Sequence, residues 1–227
     1  MNSPANGASN PQRDYRVGRL AMVETQLRPR GIDNERVIQA MLNVPREEFV
    51  PESLRDSAYD DCALPIEANQ TISQPFTVAF MCQAIELRTG QSVLEVGTGS
   101  GYSAAILACL AHKVYSVERI GELVPTAVDR LNRLGYTNVQ VKSDDGTLGW
   151  QEHGPFDAIV VTAGGVQFPE PLGKQLKEGG RMVMPIGKSR TSQTMYRYVR
   201  ERGGFRREEL GRFRFVPLIG VHGWEPR

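Results

Sequence analysis

The sequence has few cysteines and histidines, and neither type is grouped. Its three cysteines, Cys62, Cys82 and Cys109, form an odd, scattered set without a CxxC pair. Such a set favours reduced thiols in the cytoplasm over a disulfide framework. The three histidines are far apart, and none pairs with a cysteine at ligand spacing. We therefore expect a cytoplasmic protein without a structural zinc site.

Long apolar runs and an excess of one charge are also missing. No stretch approaches the roughly 20 apolar residues that span a bilayer, and the first residues lack the pattern of a secretory signal. With 27 basic and 26 acidic residues, the net charge of +1 provides no overall field for nucleic acid or an anionic membrane. We expect neither nucleic acid nor a membrane as a partner.

The length of 227 residues and the 40% hydrophobic content suit one α/β domain with an extension. Residues 1–13 are rich in Asn, Ser, Pro and Gly, so we expect them to be disordered. Residues 14–227 are predicted to form a single domain. Within it, 14–75 would be a helical extension ending in a loop, and 76–227 the α/β core.

Helical periodicity in the extension covers 14–28, which Pro29 and Gly31 end, and 34–42, which Asp33 is expected to cap. Strands and helices then alternate. The predicted strands lie at 92–96, 113–119, 139–143, 156–163 and 181–186. The predicted helices lie at 76–87, 102–111, 120–134 and 169–176, the last ended by Gly179-Gly180. This alternation predicts a doubly wound, mainly parallel α/β sheet with right-handed crossovers.

The tail has a different pattern. Residues 194–202 and 212–218 alternate basic and apolar side chains around Gly203-Gly204, which predicts an antiparallel hairpin at one edge of the sheet. Its arginines either form a binding patch or are the solvated face of edge strands, where positive charge discourages further pairing; the second interpretation is favoured. They are Arg197, Arg200, Arg202, Arg206, Arg207, Arg212 and Arg214.

The most informative stretch is the turn that follows residues 92–96. Gly97, Gly99 and Gly101 alternate there and lead into an apolar helical segment. A strand, a glycine-rich turn and a helix N-terminus allow a polar cofactor to approach bare backbone. The same glycines also occur in a plain tight turn, so the turn does not identify a site by itself.

Polar residues at the ends of the neighbouring strands indicate an adenosine. In an open α/β sheet, ligands bind beyond the carboxyl ends of the strands. Glu118 lies 17 residues after Gly101, where a carboxylate accepts hydrogen bonds from both ribose hydroxyls. Asp145-Gly146 follows the third strand, where Asp145 could accept from an adenine amino group, and Thr162 ends the fourth.

Tyr102 helps to distinguish between adenosine cofactors. The dinucleotide fingerprint GxGxxG needs glycine at that position, so an NAD-binding protein is the less favoured alternative. The observed pattern begins with Glu95 and continues x-Gly-x-Gly-x-Gly. It resembles motif I of class I S-adenosylmethionine-dependent methyltransferases. Together with the two acidic residues and the hairpin, it implies their seven-stranded Rossmann-like sheet.

Further segments resemble the protein-L-isoaspartate O-methyltransferase family over about residues 15–224. They lie at 44–50, 59–66, 70–75, 93–102, 116–119, 156–163 and 214–218. The TISQP segment, Thr71 to Pro75, is the most specific, because most class I methyltransferases lack it. The resemblance implies that Ser73 is the catalytic residue and that its loop closes over the methionine end of the cofactor. From spacing alone, Ser73 is also a good helix cap.

The resemblance also implies a cofactor, its contacts and a substrate. The cofactor is S-adenosylmethionine, and the residues implied to bind it are Thr71, Ile72, Glu95, Gly97, Thr98, Gly99, Ser100, Gly101, Glu118, Arg119, Asp145, Gly146 and Thr162. The substrate is the free α-carboxylate of L-isoaspartyl residues in damaged proteins and peptides, whose methyl ester leads to repair through a succinimide. A carboxylate is already ionised at pH 7, so no general base is needed. We expect a monomer.

One segment departs from the family. Glu67-Ala68-Asn69 stands before the TIS loop, where glycines are usual. Glycine permits backbone conformations that these residues resist, Asn least, so the loop and the charge near the substrate entrance are expected to differ. A related carboxyl O-methyltransferase acting on an aspartate of a dedicated peptide therefore remains an alternative.

Overall fold

The computed structural model describes residues 14–225. It contains a seven-stranded sheet with helices on both faces, which confirms the predicted fold class. The segment 1–13, predicted to be disordered, lies outside the described residues.

The strands run through the chain as one small ladder and one large sheet. The ladder pairs β1 (Leu64–Pro65) with β2 (Thr71–Ile72). The sheet contains β3 (Ser92–Val96), β4 (Lys113–Glu118), β5 (Val139–Ser143), β6 (Phe156–Val161), β7 (Leu176–Ser189), β8 (Ser192–Glu201) and β9 (Gly204–Phe213). Their order is β5-β4-β3-β6-β7-β8-β9, parallel from β5 to β7 and antiparallel from β7 to β9. Because β4 and β6 flank β3 on opposite sides, the switch point lies at the carboxyl end of β3.

The helices match the predicted periodicity, with shifted ends. They are α1 (Tyr15–Met22), α2 (Glu35–Asn43), α3 (Pro75–Ala84), α4 (Tyr102–Leu110), α5 (Leu123–Arg133) and α6 (Glu170–Lys174). After α1 the chain continues as a π turn and a 3₁₀ turn as far as Arg30. The cap of α2 is Asn34, not Asp33 as predicted, because the Asn34 side chain accepts from the backbone N–H groups of Arg36 and Val37.

The central strand β3 separates two apolar layers. Val93 belongs to the layer beneath α2, α3 and α4, whereas Leu94 and Val96 belong to the layer on the opposite face. Side chains alternate along a strand, so Glu95 points into the first layer with Val93. Its side chain is fully buried.

The extension is joined to the core by a buried cation. Arg46 is fully buried, its Nε donates to the carbonyl oxygen of Ala58 at 2.6 Å, and its guanidinium lies 4.8 Å from the ring centroid of Tyr102. Tyr102 is the first residue of α4, directly after the glycine turn. The extension therefore packs against the underside of that turn.

Two predictions for the second half of the chain are wrong. Gly179-Gly180 was predicted to end the helix at 169–176, but α6 ends at Lys174 and the two glycines lie inside β7. A register shift between Phe156 and Ala158 of β6 accommodates the extra residues of β7. The second strand of the hairpin is β9 rather than 212–218, because β8 pairs with the residues directly after the Gly203 turn.

Residues 214–219, the crossing segment, leave the sheet and return across the carboxyl ends of the strands. The N–H of Phe215 donates to Oε1 of buried Gln193 at 2.9 Å. The backbone N–H of Gly164 donates to the carbonyl oxygen of Val216, and the carbonyl oxygen of Gly164 accepts from the N–H of Leu218, each at 2.8 Å. These contacts place the crossing segment over the switch point.

Candidate active site

A cavity lies at the switch point, where the glycine turn, the end of β4, the loop between β2 and α3, and the crossing segment meet. Eleven of the fourteen predicted site residues line it. They are Thr71, Ile72, Ser73, Gly97, Thr98, Gly99, Ser100, Glu118, Arg119, Gly146 and Thr162. The three that do not line it are Glu95, Gly101 and Asp145.

The glycine turn has a conformation and a contact that exclude a side chain at its first position. Gly97 has φ 99°, and a Cβ there would lie 2.3 Å from Oγ1 of Thr162. That hydroxyl donates to the carbonyl oxygens of Val96 and Gly97 at 2.9 and 2.8 Å. Gly101 faces away from the cavity, toward Leu131 of α5, and serves as the N-cap of α4.

Glu118 is the acidic residue that faces the cavity. Its Oε2 accepts from the backbone N–H of Gly99 at 2.9 Å, and its Oε1 accepts from that of Ile120 at 2.8 Å. Each carboxylate oxygen has two lone-pair sites, so each can accept one more hydrogen bond. The buried carboxylate is thus fixed in place and can still bind two hydroxyl donors.

Glu95 lies beneath the turn rather than in the cavity. Its Oε2 accepts from the Ser116 hydroxyl at 2.5 Å, and that hydroxyl is 2.6 Å from Oγ1 of the cavity residue Thr98. Oε1 of Glu95 has no hydrogen-bond partner among residues 14–225. Burial raises the pKa of the Glu95 carboxyl to about 7. The structure therefore places Glu95 behind Thr98, without the direct cavity contact that the sequence predicts.

Asp145 is also turned away from the cavity. Its Oδ1 accepts from the backbone N–H and the hydroxyl of Thr147 at 2.8 and 2.7 Å. Its Oδ2 accepts from the N–H of Val221 at 2.7 Å. The carboxylate that was expected to meet an adenine amino group instead caps the 146–148 turn and holds the chain after the crossing segment. The neighbouring Gly146 is the residue that reaches the cavity.

Ser73 is half-buried and lines both this cavity and a second cleft beside it. The N-cap of α3 is Gln74, which makes no side-chain cap bond, and Pro75 occupies the first helical position. The alternative that Ser73 caps the helix is therefore wrong. Pairing of Leu64 with Ile72 in the β1–β2 ladder holds the loop next to the turn.

The unusual 67–69 turn keeps a conformation typical of glycine. Ala68 has φ 55° and ψ 31°, and Asn69 has φ 54°, both in the left-handed region. Glu67 lines neither the cavity nor the cleft, and its charge acts instead on Arg130. The expected change of charge at the substrate entrance is therefore not found.

Sequence reasoning missed the wall that the crossing segment provides. Val216, Pro217 and Ile219 line the cavity, although 212–218 was predicted as a sheet strand. The signal was Pro217, because proline cannot donate to a sheet ladder and is rare in paired strands. Within residues 14–225, no group of three His, Cys, Asp or Glu side chains could hold a metal ion. None of the described helices is long and apolar enough to cross a membrane.

Comparisons with known proteins agree with this geometry. A family model described as protein-L-isoaspartate(D-aspartate) O-methyltransferase matches residues 19–223. The chain is 52% identical over 223 residues to protein-L-isoaspartate O-methyltransferase 2 of Pelobacter propionicus, covering 97% of this chain and 98% of the relative. It is 51% identical over 211 residues to the protein-L-isoaspartate O-methyltransferase of Dictyoglomus turgidum, covering 93% and 95%.

Two solved structures are similar as well. One is a protein-L-isoaspartate O-methyltransferase with a TM-score of 0.81 and 32% identity, covering 90% of this chain and 67% of that one. The other is a putative protein-L-isoaspartate O-methyltransferase from Plasmodium falciparum in complex with S-adenosyl-L-homocysteine. Its TM-score is 0.77 and its identity 26%, covering 92% and 99%.

The raised pKa of Glu95 predicts how stability depends on pH. Between the unfolded pKa near 4.5 and the folded pKa near 7, the folded chain holds a proton that the unfolded chain has lost. The free energy of unfolding should therefore fall as pH rises through this window, by at most about 3 kcal/mol from this group. In Glu95→Gln the decrease in the free energy of unfolding that Glu95 causes should disappear. Urea unfolding at pH 5 and pH 8 measures that decrease. The exposed variant Glu152→Gln should behave like the parent, and an unchanged slope in Glu95→Gln would contradict the assignment.

The left-handed Ala68 predicts a stabilising glycine substitution. An alanine in the left-handed region raises the free energy of the folded state by about 1–2 kcal/mol, and Ala68→Gly removes that cost. Glycine also gives the unfolded chain more conformational entropy, which lowers stability by roughly 0.4–1 kcal/mol. We expect the free energy of unfolding to rise by about 0.5–1 kcal/mol, measured by chemical denaturation. The matched change Ala108→Gly, inside α4, should lower it by about 1 kcal/mol. Equal losses in both variants would show that Ala68 is not strained.

Proposed function

The chain belongs to the protein-L-isoaspartate(D-aspartate) O-methyltransferase family, and we propose that it methylates the free α-carboxylate of L-isoaspartyl residues in damaged proteins and peptides. The methyl donor is S-adenosylmethionine. The observation that carries the proposal is the position of Ser73, between the cavity at the glycine turn and the neighbouring cleft. A group bound in the cleft can meet a cofactor bound in the cavity at this residue.

The cavity has the features that S-adenosylmethionine requires. The backbone at Gly97 and Gly99 is open to a ligand, and Glu118 has lone pairs free for two ribose hydroxyls. Met81 and Ile72 add apolar surface. When bound, S-adenosylmethionine supplies an electrophilic methyl group on a sulfonium.

The remaining contacts are assigned by position. Thr71, Ser100, Arg119, Gly146 and Thr162 line the cavity and complete the proposed cofactor site. Thr98 also lines it, and Glu95 would act through Ser116 by fixing the Thr98 hydroxyl. Asp145 and Gly101 would position the backbone around the cofactor without touching it.

Ser73 is proposed as the catalytic residue. Its hydroxyl has no hydrogen-bond partner among the described residues, so it is free to donate to the substrate carboxylate and direct one oxygen toward the methyl group. The carboxylate is ionised at neutral pH and needs no base, and none of the described residues lining the cavity is a histidine. Catalysis would then come from positioning the two ligands and excluding water.

We further propose that the enzyme acts as a cytoplasmic monomer, without nucleic acid or membrane as a partner. The three cysteines are free, as expected in a reducing compartment. Residues 14–227 would work as one domain, since Arg46 of the extension packs on Tyr102 below the glycine turn. The dedicated-peptide alternative loses its support because Glu67 lines neither site. The NAD-binding alternative is disfavoured because the dinucleotide fingerprint needs glycine at position 102, and the buried Tyr102 ring fills that position.

A labelling assay tests the proposed reaction. The protein is incubated with methyl-labelled S-adenosylmethionine and paired peptides that differ only in isoaspartate or aspartate. We expect base-labile label on the isoaspartyl peptide alone. Gly97→Val should label neither, because its side chain would overlap the Thr162 hydroxyl. Labelling of the aspartyl peptide alone would favour the dedicated-peptide alternative, and labelling of neither by the parent would refute methyl transfer to isoaspartate.

Ser73→Ala separates catalysis from binding. Loss of one well-placed donor should lower kcat by roughly 10²-fold, while the Kd for S-adenosylhomocysteine stays within about twofold because the glycine turn and Glu118 are unchanged. Steady-state kinetics and calorimetry measure the two quantities. Ser53→Ala, in an exposed turn, serves as the control. Parallel losses in turnover and cofactor affinity would indicate a structural role for Ser73.

A further inference from the structure

A second cleft opens beside the cofactor cavity and shares its inner wall. Thr71, Ser73, Thr162, Val216 and Pro217 line both. The outer part of the cleft is formed by the turn between β7 and β8 and by the end of β9. A chain lying in this cleft can contact Ser73, where the proposed function places the reacting carboxylate.

The cleft is strongly cationic. Four arginines and no acidic residue are among the described residues that line it. Two of the four are already engaged. Arg30 pairs with Asp61 at 3.0 Å and stacks on Phe76 at 3.6 Å, and Arg190 donates to the carbonyl oxygen of Glu225 at 2.9 Å.

The other two, Arg212 and Arg214, are exposed and have no side-chain hydrogen bond or ion pair within residues 14–225. Other arginines of the same hairpin are neutralised: Arg197 pairs with Glu208 at 2.6 Å, and Arg206 pairs with Glu201 at 2.9 Å. A guanidinium fork matches a carboxylate in shape and charge. The unpaired arginines are therefore free to bind carboxylates that enter the cleft.

The spacing of these two arginines suits an extended ligand. Arg212 lies near the end of the edge strand β9, and Arg214 follows two residues later. Side chains two residues apart on an extended chain share a face and lie about 7 Å apart. Alternate side chains of an extended substrate have the same spacing, so two acidic side chains can meet both arginines.

We propose that Arg212 and Arg214 bind acidic side chains flanking the isoaspartyl residue, so that the enzyme prefers damaged sites in acidic segments. This inference rests on the proposed function, since it takes the occupant of the cleft to be an isoaspartyl chain. The reacting carboxylate itself belongs at Ser73, at the inner end of the cleft. The two arginines act on the neighbours of that residue and determine specificity.

Three isoaspartyl peptides test the proposal, with Glu, Gln or Lys at the second and fourth positions on each side of the isoaspartate, so that two alternate side chains can meet the arginines whichever way the chain runs. For the parent enzyme at low salt, we expect kcat/KM to be roughly tenfold higher for the Glu peptide than for the Gln peptide, and lowest for the Lys peptide. Added salt should reduce the preference. In R212Q/R214Q the three kcat/KM values should converge to within about twofold. The kcat/KM for the Gln peptide should equal that of the parent enzyme.

The matched control is R206Q/R207Q, which removes the same charge from β9 outside the cleft. It should keep the preference for the Glu peptide. Equal use of the three peptides by the parent, or an unchanged preference in R212Q/R214Q, would overturn the assignment while methylation of isoaspartate stands. Failure of the parent to methylate any of the peptides would overturn the proposed function and this proposal with it.

Discussion

The Thr162 hydroxyl holds the ends of the two central strands together, and the site depends on that contact. It donates to the carbonyl oxygens of Val96 and Gly97, so the end of β6 fixes the direction in which the chain leaves β3. The close approach leaves no room for a Cβ at Gly97. Glu118 continues the arrangement by accepting from Gly99. Backbone that a ligand can approach is thus held in place by contacts within the chain.

The regular part of the fold follows from the sequence because it depends on local patterns. Short apolar runs predicted β3 and β6, and their alternation with helices predicted that these strands are parallel. The crossing segment could not be found in this way. Its path is set by contacts with Gln193 and Gly164, which lie 22 and more residues earlier in the chain. Alternating basic and apolar residues predict an extended chain, but not the partner with which it pairs.

In the site, too, some residues could be placed from local sequence patterns and others could not. Gly97, Gly99 and the carboxylate at the end of β4 were predictable, because their positions relative to the strands determine where they lie. Gly101 was predicted to line the cavity as well, but it faces Leu131 of α5. Asp145 and Glu95 were not, because a side chain's direction depends on which donors surround it. Thr147 and Val221 turn the Asp145 carboxylate outward, and strand alternation buries Glu95. At Ala68 the chain adopts a left-handed conformation typical of glycine without having glycine there, which indicates that the ladder beside it determines the backbone at this position.

The cavity proposed for the cofactor and the cleft proposed for the substrate differ in charge. The cofactor carries a positive sulfonium, and the cavity proposed to bind it has the Glu118 carboxylate in its wall. The substrate is an anion, and the cleft that it would occupy is lined by arginines without a described carboxylate. Ser73 stands where the two regions meet. A neutral donor there can orient the anion without neutralising its charge, so the carboxylate keeps the nucleophilicity that methyl transfer requires.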